Sequence, residues 1–167
     1  MNEADPTYQS LLQTWRDDPF SVLRFSTLAD YLDEHGGAVG AEKAAIMRGG
    51  DVPLTDFEAK AVLALAGCSF APATWDKRFA ADVGKRVLDA LETKRMPSLT
   101  VKQYLWTVIL LRRYRRTVSS LCYVTWAEGN YNRALKLLGI KHLKPIRLSE
   151  KRSGDTDVRM FPLFDES

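Results

Sequence analysis

Histidine and cysteine are nearly absent from this 167-residue chain, with two of each, and that scarcity removes most metal and thiol chemistry. His35 and His142 stand alone, and no Cys/His cluster approaches the spacing of a zinc site. Cys68 and Cys122 each lie in apolar surroundings and read as buried free thiols, with one bridge between them as the alternative. Two cysteines do not make the framework of an oxidising compartment. Also missing are a phosphate-cradling glycine loop, a Gly-x-Ser-x-Gly elbow and a His-Glu-x-x-His pair. The glycine-rich Gly36-Gly37-Ala38-Val39-Gly40 follows a helical pattern, the wrong context for a dinucleotide loop. Acidic pairs such as Asp17-Asp18 and Asp33-Glu34 fall at helix ends, where capping explains them. The expectation is a protein that is not an enzyme and takes no cofactor or metal.

Long apolar runs are lacking too. The longest, Tyr104 to Leu111, is less than half of the ~20 residues a membrane helix needs. The opening Met1-Asn2-Glu3-Ala4-Asp5-Pro6 is acidic and polar, without the basic and apolar regions of a signal peptide. A cytoplasmic protein with no membrane partner is expected.

What is present is an ordinary globular composition, 46% hydrophobic and 27% charged, unlike that of a disordered chain. The net charge of +3 hides a division: residues 1–83 hold 7 Lys/Arg against 13 Asp/Glu, and residues 84–167 hold 17 against 8. Residues 85–152 alone carry 16 Lys/Arg and 4 Asp/Glu. Such asymmetry points to an acidic partner for the basic half, nucleic acid being the commonest. The competing reading has the acidic half neutralise the basic half across an internal interface.

Periodicity predicts a mainly α protein, a compact bundle of five to seven helices with a candidate C-terminal β-hairpin. Asp5-Pro6 opens a first helix with Leu11, Leu12 and Trp15 on one face, and Asp18-Pro19 opens a second that His35-Gly36-Gly37 ends. A third covers Gly40 to Met47. Thr55 caps a helix over Ala59 to Ala66, and Thr74 caps a long one over Trp75 to Lys94 with Phe79, Val83, Val87, Leu88 and Leu91 as its stripe. Thr100 and Gln103 form a capping box before Tyr104 to Arg116, and a further helix fits Tyr131 to Leu138. Ile146-Arg147-Leu148 and Val158-Arg159-Met160-Phe161 alternate around a polar stretch, the pattern of a hairpin. The chain divides into an acidic helical part (1–67), a basic helical part (68–145) and an extended tail or hairpin (146–167).

Leu28-Ala29-Asp30-Tyr31-Leu32-Asp33-Glu34, followed by Ile46-Met47-Arg48, carries a resemblance. Residues 19–48 look like the small bacterial repeat-companion domain, with Tyr31 where that family usually has tryptophan. The resemblance implies a helical pair and no activity. Gly129-Asn130 with Arg133-Ala134 and Gly139-Ile140 resembles the first helix and turn of the helix-turn-helix in factor-for-inversion-stimulation-type DNA binders. Pro145 falls where the recognition helix would be in mid-course, a penalty of about 3 kcal/mol, so non-specific contact is expected rather than groove reading.

Arg112-Arg113-Tyr114-Arg115-Arg116 ends an almost wholly apolar helix. Cations there complement the macrodipole by about 0.3–1 kcal/mol each. They also suit phosphate, since the guanidinium fork matches its oxygens and Tyr114 is available to stack on a base. The expected nucleic-acid contacts are Lys102, Arg112, Arg113, Arg115, Arg116, Arg133, Lys136, Lys141 and Lys144, with Tyr114 stacking. Finally, Met160-Phe161-Pro162-Leu163-Phe164 is similar to the Leu-Phe peptides with which bacterial replication and repair proteins dock on the sliding clamp, Met160 standing where glutamine is usual. Phe161, Leu163 and Phe164 are therefore candidate partner contacts, or else a strand packed on the core. The functional expectation is a non-catalytic accessory protein that binds DNA, RNA or a nucleoprotein complex through its basic half. The alternative is a protein-interaction adaptor using the acidic helices or the tail.

Overall fold

A computed structural model describes residues 4–143. The expected hairpin over residues 146–164 lies outside these. Among the described residues are seven helices: α1 Pro6–Asp17, α2 Val22–His35, α3 Gly37–Arg48, α4 Asp56–Ala66, α5 Trp75–Glu92, α6 Val101–Arg113 and α7 Leu121–Leu138. Two short strands, β1 Asp51–Pro53 and β2 Ser98–Thr100, pair antiparallel with Val52 opposite Leu99. They pin the start of α6 beside the end of α3.

Caps explain most boundaries. The side chains of Asp5, Ser21, Thr55, Thr74 and Thr100 each accept a backbone N–H of the first turn they precede. Thr100 and Gln103 complete a reciprocal box. Ser21, rather than Asp18, caps α2, so Pro19 stays in the preceding turn, where it is buried.

The apolar run that is too short for a membrane is the central helix. Along α6, Leu105, Val108, Ile109, Leu110 and Leu111 are all buried, as a helix that is apolar on most sides must be. It is flanked by α4, α5, α7 and both strands. One cluster joins Trp15, Leu28 and Leu32 of the acidic part to Val108, Ala127 and Tyr131 of the basic part. A second packs Val62 of α4 against Val83 and Val87 of α5. The core therefore runs across the expected boundary between the parts 1–67 and 68–145.

Three details depart from expectation. The buried face of α5 is Ala80, Val83, Gly84 and Val87, while Leu88 and Leu91 are exposed. Small residues win because α4 comes so close that a Cβ on Gly84 would lie 2.6 Å from that of Ala66. α7 begins ten residues before Tyr131, which places Gly129 in mid-helix. Cys68 is buried as expected, but Cys122, in the first turn of α7, is exposed; both thiols are free.

Residues 19–48 fold as α2 and α3, which approach closely where Gly36 and Gly40 leave no room for a side chain. A Cβ on Gly40 would lie 2.3 Å from the Leu32 carbonyl oxygen. That neighbour is backbone and cannot step aside. Gly40→Ala is expected to destabilise by about 1–3 kcal/mol or more, whereas Gly129→Ala, with open space around it, should stabilise α7 by about 0.5–1 kcal/mol. Paired urea titrations check both signs.

Candidate nucleic-acid interface

Of the ten cationic and aromatic residues singled out by sequence, the nine that lie among the described residues do not form one surface. Antiparallel packing of α6 and α7 sets Val101 and Leu105 beside Arg133, Ala134 and Leu137. Lys102, in the first turn of α6, thus shares an end of this helix pair with Arg133 and Lys136 of α7. Arg112 sits ten residues further along α6, about 15 Å away at 1.5 Å per residue. Lys141 follows the left-handed cap at Gly139, close to the first group. Arg115 and Arg116 belong to the second, beyond the helix, which stops at Arg113.

At the second group, burial overturns two expectations. Tyr114 is 1% exposed and its hydroxyl donates to Asp76 Oδ2 at 2.5 Å; it packs edge-on against Phe70 and cannot stack on a base. Burial and the Asp76 carboxylate push its phenol well above the usual tyrosine range. Arg113 is buried as well, its Nη1 3.4 Å from Asp76 Oδ2. The apolar turns before them carry both side chains into the core, so they serve the fold. Arg112 is half-buried, with its guanidinium 4.1 Å from the centre of the Tyr131 ring, a cation–π contact. Half-buried Arg115 donates to the Arg112 carbonyl at 3.4 Å. Only Arg116 of this group is fully exposed.

The first group is different. Lys102, Arg133, Lys136 and Lys141 are all exposed, and none forms an ion pair among the described residues. Arg133 and Lys136, three apart, share the outer face of α7 with side-chain-free Gly129; the buried face is Val124, Ala127, Tyr131 and Ala134. The helix ends at Leu138, and residues 141–143 are not helical. Lys144 and the tail residues Phe161, Leu163 and Phe164 lie outside the described residues.

Sequence reasoning missed a second basic locus. Arg16 of α1 and Lys43 of α3 line a cleft with Glu58 of α4 and Tyr104 of α6. Glu58 accepts from the Thr55 hydroxyl at 3.2 Å and interacts with the Tyr104 hydroxyl. Burial raises its carboxyl above the usual range, against the pull of these bonds and of the Arg16 and Lys43 charges. Tyr104 is pushed up chiefly by its own burial, with Glu58 adding to it. No spacing rule joins positions 16, 43, 58 and 104. The exposed aromatic near the basic helix is Trp75, 47% exposed and stacked with Phe79, rather than Tyr114.

Among the described residues, no helix is long and apolar enough to cross a membrane. Comparison with known proteins returns no family model, no curated protein and no solved structure that matches this chain.

Proposed function

We propose that this is a non-catalytic accessory protein that binds nucleic acid through the end of the bundle formed by the start of α6 and the end of α7. The observation that supports this reading is the group Lys102, Arg133, Lys136 and Lys141, exposed and without carboxylate partners among the described residues. Three arginines elsewhere do meet carboxylates: Arg48 bridges Asp30 and Asp33, Arg86 meets Asp51 at 2.5 Å and Arg113 lies 3.4 Å from Asp76. Contacts of this kind read backbone phosphate, not sequence.

Fluorescence anisotropy with labelled duplex DNA and single-stranded RNA tests it. At low salt Arg133→Ala/Lys136→Ala is expected to bind at least about tenfold more weakly than wild type, while Arg115→Ala/Arg116→Ala, at the opposite end, binds like wild type. Equal losses in both variants, or no binding of either nucleic acid, would overturn the reading.

A second reading, a protein-interaction adaptor, is favoured by Val22 and Leu23, which are 82% and 75% exposed at the start of α2 beside Phe20. Capture from nuclease-treated lysate separates the two: an adaptor keeps its partner, and a nucleic-acid binder loses it.

A further inference from the structure

The cleft between α1, α3 and α4 has a polar wall with more donors than acceptors. Its cavity of about 280 Å³ sits just below the ~300–1,000 Å³ typical of small-molecule sites. Arg16 and Lys43 line it, and among the described residues no hydrogen bond or ion pair reaches either side chain. The one carboxylate facing them, Glu58, is already held by Thr55 and Tyr104. Trp15, 7% exposed, lines the same cavity, and its buried indole N–H has no acceptor. That N–H is enclosed by protein, so its resonance reports changes at the cavity wall rather than direct contact with a ligand. Leu12, Leu28, Leu32 and Met47 give the cleft an apolar side, and Tyr8 and Gln9 also line it.

We propose that this cleft binds a small organic anion, a carboxylate or phosphate ester on a compact apolar body, with its oxygens held by Arg16 and Lys43. Two cations against one occupied carboxylate leave the cleft electropositive, and charge-assisted bonds from guanidinium and ammonium to an oxyanion are the strong kind. The apolar body fits against the leucines and Met47. The site shares no residue with the proposed nucleic-acid interface, although Arg16 and Arg133 line a neighbouring cavity together; the ligand titration and the nucleic-acid titration test them separately.

Phenyl phosphate, benzoate, inorganic phosphate and neutral benzyl alcohol, each titrated into the ¹⁵N-labelled full chain, provide the test, with the Trp15 indole N–H resonance as readout. Phenyl phosphate or benzoate is expected to shift it saturably, and which of the two binds better identifies the acid group. Arg16→Gln and Lys43→Gln should each weaken binding roughly tenfold, with unchanged melting curves showing that both still fold. Glu58→Gln should tighten it by removing the only opposing charge. The proposal is overturned if inorganic phosphate or benzyl alcohol does as well as phenyl phosphate. It is equally overturned if neither aromatic anion moves the resonance up to about 10 mM, or if both cation variants bind unchanged.

Discussion

Asp76→Ala is expected to destabilise the protein by about 3–5 kcal/mol, the range for removing one partner of a buried ion pair. One carboxylate oxygen serves two buried groups: it accepts the Tyr114 hydroxyl at 2.5 Å and lies 3.4 Å from Arg113 Nη1. The Arg113 and Asp76 side chains are 10% and 13% exposed, so solvent cannot replace the lost charge. Asp76 also stands in the first turn of α5, where a negative charge is favoured. Against a total stability of ~5–15 kcal/mol, the loss should lower the melting temperature by roughly 10 °C. Two further variants show where the effect arises. Tyr114→Phe keeps the ion pair and should cost about 1–3 kcal/mol. Arg113→Met in the Asp76→Ala background should recover part of the loss, because an apolar side chain of similar length leaves no charge buried. Asp76→Ala within about 1 kcal/mol of wild type in urea titrations would show that Arg113 and Tyr114 do not depend on it.

The same five residues show where reading the sequence stops. Arg112-Arg113-Tyr114-Arg115-Arg116 is a basic cluster by composition, but an α-helix turns by 100° per residue, so consecutive side chains cannot share one face. Position decided their roles. Arg113 and Tyr114 continue the buried faces of α6, and only Arg116 is fully exposed. The acid that receives them, Asp76, is 38 residues from Tyr114, beyond the reach of any local pattern. The cleft of Arg16, Lys43, Glu58 and Tyr104 was hidden for the same reason, since it exists only where four helices meet.

Helix starts were far more legible, because a cap is a local chemical event. Asp5, Thr55, Thr74 and Thr100 all act as the caps their spacing suggested. Where the signal was weak, the reading slipped. Ser120 opens α7 without a side-chain cap bond, and Gly129-Asn130 looked like a boundary although it lies in mid-helix. The strands passed unnoticed at three residues each, too short for a period of two to show. The mainly helical architecture follows from apolar patterning, which does not depend on knowing any partner.

Salt dependence offers the largest functional effect, because each phosphate contact releases counterions. With Lys102, Arg133, Lys136 and Lys141 as four contacts, the logarithm of affinity for duplex DNA should fall with log salt at a slope of about −3.6. Between about 50 and 200 mM salt that is a loss of roughly 100-fold. Arg133→Ala/Lys136→Ala should halve the slope to about −1.8, leaving a loss of roughly tenfold. The slope also reports geometry. If Arg112, Arg115 and Arg116 touched the duplex together with the first group, seven contacts would steepen it to about −6. The Tyr131 ring beneath Arg112 and the 3.4 Å bond from Arg115 to the Arg112 carbonyl argue against that, since both guanidinium groups would have to give up contacts within the fold. A slope near −3.6 that halves in the double variant assigns binding to the α6–α7 end. A steeper slope, unchanged by that variant, moves the interface to the arginines beyond α6, and an affinity indifferent to salt removes nucleic acid as the ligand.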